Sequence, residues 1–149
     1  MDLFEELMGL VDELDRAGVE HALVGGLAVA VWGAPRATKD IDLLILPADV
    51  ERAVAVAARR GFDVRALPMT FRDGMELSRV SRVEAGALTT VDLIHANALL
   101  APAWASRVRV QAGGRSLCVV SRDALIAMKA LAARPIDLAD IEKLRELDR

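Results

Sequence analysis

Residues 23–45 read LVGGLAVAVWGAPRATKDIDLLI, and the fold turns on how this stretch divides. Glu20 to Val24 is a short β-capable segment that runs into Gly25-Gly26 and then into the apolar LAVAVW, the pattern of a strand, a tight turn and a buried helix. Gly33-Ala34-Pro35 closes that helix. Asp40 to Leu46 alternates as far as Asp42 and is apolar thereafter, which predicts a central strand buried on one face along its length and on both toward its end. Pro47 stops it, and Val50, Ala53, Val54 and Ala57 then mark an amphipathic helix ending at Gly61.

Outward from this centre, Leu3, Leu7, Leu10, Val11 and Leu14 recur at helical spacing, so residues 2–17 are expected to form a first helix, ended by Gly18. Further strands are expected at Met75 to Val83, at Leu88 to Ile94, and as a hairpin of Arg107 to Gln111 with Arg115 to Val119 around Gly113-Gly114. Ser121 can cap a helix running to about Ala133, and Ile136 to Leu147 supplies a last one with Ile141, Leu144 and Leu147 on one side. With no repeat or linker-like tract, residues 1–149 are read as a single α+β domain: a mixed β-sheet, flanking helices and a short helical C-terminal end from about residue 121.

Composition narrows the class. The 149 residues are 54% hydrophobic and 28% charged, with no run of 18 apolar residues, so neither disorder nor a membrane span is expected. Cys118 is the single cysteine, which excludes an internal disulfide and a multi-cysteine zinc site, and the N-terminus is acidic and periodic where a signal peptide would be basic and then apolar. A reducing cytoplasm is the expected home. The net charge of −3 is uneven, with −7 over residues 1–57, +5 over 58–122 and −1 over 123–149. Every positive side chain of the middle third is arginine, a pattern that serves equally as solvated surface or as a patch for a phosphate-rich ligand.

Asp40 and Asp42 need explaining, because two carboxylates at i and i+2 of a strand project from one face with Cα atoms about 6.5–7 Å apart. So placed they repel unless a divalent cation or an arginine neutralises them. Asp92, in Thr89-Thr90-Val91-Asp92-Leu93-Ile94, is a similar lone charge in a β-rich run. Three strand carboxylates suit a two-magnesium phosphoryl-transfer site; equally, each could face solvent or pair with an arginine. Gly25-Gly26 either supplies a turn of positive φ or lets a phosphate approach the backbone, and matches neither the dinucleotide fingerprint nor the P-loop. Arg36, Thr38 and Lys39 precede the carboxylate strand and can touch a polyphosphate, orient the loop or merely be solvated. Lys129 is flanked by Leu125, Ile126, Ala132 and Ala133, so its ammonium leaves an apolar face, either snorkelling to solvent or aimed at a triphosphate.

The stretch from Leu23 to Ile45 resembles the nucleotidyltransferase superfamily that includes DNA polymerase β, with its Gly-Gly, a spacer, and Asp-hydrophobic-Asp-hydrophobic as Asp40-Ile41-Asp42-Leu43. The lead-in Arg36-Ala37-Thr38-Lys39-Asp40 is similar more narrowly to bacterial minimal nucleotidyltransferases of the abortive-infection and type IV toxin group, and Lys129, Arg134, Asp137 and Asp140 resemble that group's late motif. The resemblance implies Mg²⁺-dependent transfer of a nucleotide from an NTP to an acceptor hydroxyl or phosphate, on RNA, a protein or a small molecule, with two ions. It implies that Gly25 and Gly26 hold the triphosphate, aided by Arg36, Thr38 and Lys129. Asp40 and Asp42 would then hold the metals, with Asp92 as third carboxylate and base. Larger toxins of the group enclose the acceptor with a helical C-terminal domain; here either the acceptor is small or exposed, or a protein partner or second copy completes the cleft. A nucleotide-binding module without turnover and an antitoxin-like partner are the competing readings.

Other singular residues carry less. His95 follows the Asp92 strand and can relay a proton or simply be hydrogen-bonded, and His21 has no partner nearby in sequence. Cys118, Trp32 and Met128 are expected in the core, and Trp104 is the candidate for an exposed aromatic that stacks on a base.

Overall fold

The first helix, α1 (Leu3–Arg16), starts at Asp2, whose carboxylate accepts the Phe4 amide at 2.9 Å, and it lays Leu7, Leu10, Val11 and Leu14 into the core. Burial of such a side chain contributes about 1.5–3 kcal/mol, which explains why this face fixes the helix against the sheet. The computed structural model describes residues 2–147; Met1, Asp148 and Arg149, counted in the domain above, lie outside them. After α1 the order is β1 (Ala22–Val24), α2 (Gly25–Val31), β2 (Asp40–Ile45), a 3₁₀ turn over Pro47–Asp49, and α3 (Val50–Arg59). Next come β3 (Val64–Arg65), β4 (Met69–Thr70), β5 (Glu76–Glu84) and β6 (Ala87–His95), then a 3₁₀ turn (Ala98–Leu100) leading into α4 (Ala101–Ala105). The chain closes with β7 (Val108–Ala112), β8 (Arg115–Val119), α5 (Arg122–Ala132) and α6 (Pro135–Glu146).

The strands form one mixed sheet in the order β3-β5-β6-β2-β1-β8-β7, with β4 also paired to β5. β2 runs parallel to β6 and antiparallel to β1, so Asp42 has Asp92 on one side and Val24 on the other. β5 runs antiparallel to β6, with Arg79 opposite Asp92 and Leu77 opposite Ile94. The apolar end of β2 is as expected of a central strand: Ile41, Leu43, Leu44 and Ile45 are fully buried. No helix among the described residues is long and apolar enough to cross a membrane.

The α+β class, mixed sheet and helical C-terminal end agree with the sequence reading, and several boundaries move. β1 starts at Ala22 rather than Glu20, because the chain is still leaving α1 there: Val19 N–H donates to the Leu14 carbonyl and the His21 ring engages the Val19 carbonyl at 3.2 Å. No separate turn divides β1 from α2. Gly25, at φ +73°, absorbs the change of direction in one residue and is itself the first of the helix. β3 and β4, two residues each, are too short to show an alternation and were not expected.

Candidate active site

Above the face of β2 that carries Asp40 and Asp42 lies a cleft of about 640 Å³. The residues that the resemblance assigns to the metal and the triphosphate line it: Gly25, Gly26, Arg36, Thr38, Asp40, Asp42, Asp92 and Lys129. The parallel register of β2 on β6 sets Asp92 beside Asp42, and the strand period keeps Asp40 on the same face. Gly25 is glycine for two reasons. Its φ of +73° disfavours other side chains, and a Cβ would collide with the Asp42 carboxylate, which therefore rests against bare backbone. At Gly26 a Cβ would stand 2.9 Å from Thr38 Oγ1 and 3.1 Å from Arg36 Nη2, so the missing side chain keeps space open between the start of α2 and the loop before β2.

The charges in this cleft are balanced unequally. Burial, and then the neighbouring charges of Asp92 and Asp40, push the Asp42 carboxyl up to about 7. Partial burial and the charge of Asp92 likewise raise Asp40. Asp92, buried on β6, is forked by Arg79 across the β5–β6 pair, Nε to Oδ1 at 2.7 Å and Nη2 to Oδ2 at 2.9 Å. On the opposite wall, Arg36 forks Asp140 at 2.8 and 2.9 Å, and the buried Lys129 ammonium lies 2.9 Å from Asp140 and 3.5 Å from Asp137. Arg134 donates to Asp137 from its side chain at 2.7 Å and from its backbone at 3.1 Å. Burial alone would raise Asp137 and Asp140, but the hydrogen bonds from Arg134 to the first, and from Arg36 and Lys129 to the second, leave both below the usual carboxylate range.

The expected trio of metal carboxylates is thus brought onto one face without forming a ready cluster. Among the described residues no group of three His, Cys, Asp or Glu side chains is arranged to hold a metal ion, and both Asp92 oxygens are turned onto Arg79. Asp40 and Asp42 fit a hard divalent cation by their oxygen chemistry and by their raised carboxyls, which a cation would relieve. Arg36 and Lys129, expected at the triphosphate, stand on the cleft wall with their charges engaged by α6 carboxylates.

Superposition on solved structures matches the fold along almost the whole chain. The chain is similar to the Thermotoga maritima nucleotidyltransferase TM1012, at 13% identity and a TM-score of 0.71 over 99% of this chain and 94% of the other. It also superposes on the lincosamide antibiotic adenylyltransferase LnuA, solved with lincomycin, at 14% identity and a TM-score of 0.65 over 95% of each chain. The fold is that of the nucleotidyltransferases. A further nucleotidyltransferase, ANT(2″)-Ia in complex with adenylyl-2″-tobramycin, superposes at 14% identity and a TM-score of 0.63 over 94% of this chain and 86% of the other. No protein-family model and no curated protein matches the sequence itself.

Within this nucleotidyltransferase fold, sequence reading passed over Arg79. Its signal was present, since Met75, Leu77 and Arg79 alternate on the expected strand, but the register that sets it opposite Asp92 was not legible. Phe71, Asp73, Met75, Leu77 and Ile94 also line the cleft. Two expectations need correction. Trp104 lies on α4 with the Arg107 guanidinium 3.7 Å from its ring centroid, so a cation already covers the ring proposed for base stacking. Cys118 and Trp32 are half-buried rather than core, the Trp32 Nε1–H donating to the Val120 carbonyl at 3.0 Å, whereas Met128 is buried. His95 Nε2 lies 3.0 Å from Ser78 Oγ, the hydrogen-bonded alternative, and is absent from the cleft lining.

Proposed function

We propose that the chain transfers a nucleotide from an NTP to an acceptor hydroxyl. The observation that carries this reading is the pair Asp40 and Asp42, without an ion-pair partner among the described residues and with Asp42 resting against the bare backbone of Gly25, in a cleft large enough for a nucleotide. A pair kept so at the cost of like-charge repulsion makes sense where a cation completes it. Asp40 and Asp42 would hold Mg²⁺, which when bound neutralises charge on the triphosphate and polarises the α-phosphoryl group. The open space at Gly26 admits phosphate oxygens to the backbone, with Thr38 beside them. Asp92 lies next to Asp42 and orients the acceptor hydroxyl and takes up its proton, using lone pairs that the Arg79 fork leaves free. The fold shared with two antibiotic adenylyltransferases supports nucleotidyl transfer in general.

The Arg79–Asp92 fork favours a second reading, a nucleotide-binding module that does not turn over, because it occupies the carboxylate that would act as base. One experiment separates the two. Purified protein is incubated with Mg²⁺ and each of the four α-labelled NTPs, with total RNA, a protein extract or a metabolite pool as acceptor, and melting is followed in parallel. A labelled product and a joint NTP–Mg²⁺ rise in melting temperature support transfer, and both should be lost in Asp42→Asn. A rise without product supports the binding module, and no rise for any NTP overturns both. The RNA arm also answers the resemblance to the toxin group, whose members would act on a host macromolecule.

A further inference from the structure

Beyond Asp92 the cleft changes character. Met75, Leu77 and Arg79 follow one another at two-residue spacing into β5, Phe71 faces Met75 across the preceding turn, and all four line the cleft. Pairing with β6 sets Leu77 beside Ile94 and Arg79 beside Asp92, so an apolar strip leads directly to the third carboxylate. Leu77 and Ile94 are 6% and 7% exposed, whereas Phe71, at the outer end, is 46% exposed. That exposure is built into the turn. Phe71 N–H donates to the Met75 carbonyl at 2.8 Å, Asp73 Oδ1 accepts the Met75 amide at 2.9 Å, and Asn97 Nδ2 donates to the Gly74 carbonyl at 3.2 Å and to Glu76 Oε1 at 3.0 Å.

Place and charge say what the strip can take. β5 lies three strand steps from β1, on the order of 14 Å, so a triphosphate at Gly25-Gly26 would leave the strip uncovered. The other cations of the cleft stand on the wall formed by α6 and the loop before β2, where Arg36 and Lys129 join α6, Arg134 pairs with Asp137 at its start and Lys39 precedes β2. Among the described residues the one cation lining the strip side is Arg79, matched by Asp92; Asp73 adds a negative charge, and Arg72 between Phe71 and Asp73 is exposed outside the lining. A polynucleotide needs a row of unmatched cations along its backbone, and this wall offers none. A polycation would set its charges against Phe71, Met75, Leu77 and Ile94.

We propose that this strip is an acceptor subsite for an uncharged small molecule with one apolar face and a hydroxyl group, of the kind an aryl glycoside represents. The proposal rests on the nucleotidyl-transfer reading. In the step it serves, the acceptor oxygen forms a bond to the α-phosphorus as the bond to the β-bridging oxygen breaks. Pyrophosphate leaves with that electron pair, and the hydroxyl proton passes to Asp92 and then to solvent.

The test is calorimetric binding of 4-methylumbelliferyl β-D-glucoside, with and without Mg²⁺ and a non-hydrolysable NTP analogue. The expected result is saturable binding that weakens about 10-fold in Phe71→Ala through lost apolar contact, and stays unchanged in Leu67→Ala, at an 86% exposed position outside the cleft. Absence of saturable binding, equal affinity in Phe71→Ala, or displacement by tobramycin or a single-stranded oligoribonucleotide overturns the proposal. Failure of the donor reading appears elsewhere, as absence of any NTP-dependent melting shift, because the glycoside is also measured without nucleotide.

Discussion

Two pairs of aspartates, one in the cleft and one behind its wall with Asp137 in the lining, meet opposite electrostatic fates. Asp137 and Asp140, one turn apart on α6 and each 1% exposed, are met by Arg36, Lys129 and Arg134 and held below the ordinary carboxylate range. Asp40 and Asp42, two residues apart on β2, have no ion-pair partner among the described residues and are pushed upward, Asp42 to about 7. The difference teaches how to tell a structural carboxylate from one kept for a ligand. The α6 pair is complete within the chain and fastens the C-terminal helices to the loop before β2; the β2 pair has no such partner among the described residues, and under the proposed function a divalent cation would complete it. Asp92 stands between these cases, buried and matched by a single half-exposed arginine.

The largest effect is expected where completion is broken. Asp140→Ala leaves the buried Lys129 ammonium and the Arg36 guanidinium without their main partner, and removing one member of a buried pair costs about 3–5 kcal/mol. Urea denaturation should show that loss, and a change under about 1 kcal/mol would dissolve the contrast between the two pairs. Asp42 should behave with the opposite sign. Its folded carboxyl, at about 7, lies above the ordinary 3.8, so the fold favours the protonated form. The stability this group contributes is complete below about pH 4 and is lost as pH rises to about 7, at up to about 1.4 kcal/mol per pH unit. Asp42→Asn should therefore be more stable than the parent at about pH 8, with the gap closing toward about pH 4 in thermal melts. A variant less stable than the parent at the alkaline end would mean that Asp42 is compensated after all.

Much of this was legible in residues 23–45. The i, i+2 spacing fixed Asp40 and Asp42 to one face, and the apolar run after Asp42 marked a central strand, because both follow from strand period and burial alone. Asp92 was legible as an anomaly but its partner was not. Which residue faces it depends on the β5–β6 register, set by the turn between those strands and by their shared core, neither of which is local to Asp92. Lys129 was legible as a lysine on an apolar face, and Asp137 and Asp140 as part of a motif with it. Helical spacing could not say whether the three bind one another or a ligand; the contact between α5 and α6 decides that. The wall at Phe71 escaped because it belongs to a turn between a two-residue strand and β5, where no period has room to appear.

The smallest stability effect is expected at Gly26, and it sharpens the comparison by isolating room for a ligand from the balance of charge. Gly26 lies within α2 and its φ is outside the left-handed region, so alanine there gains about 0.5–1 kcal/mol in helix preference. Against that gain, its Cβ would stand 2.9 Å from Thr38 Oγ1, 3.1 Å from Thr38 Cβ and 3.1 Å from Arg36 Nη2, so the loop carrying Thr38 must shift by a few tenths of an ångström while the long Arg36 side chain gives more easily. The two terms nearly cancel, and Gly26→Ala should melt close to the parent, within a difference of about 1 kcal/mol. Gly25→Ala should not, because φ of +73° strains any side chain and the added carbon would displace the Asp42 carboxylate. If phosphate oxygens approach the backbone at this turn, Gly26→Ala should nevertheless lose about 10-fold in NTP–Mg²⁺ affinity, read as a smaller ligand-induced rise in melting temperature. A variant that melts normally and binds the nucleotide normally would leave Asp40 and Asp42 as the cation site and move the phosphates away from Gly26.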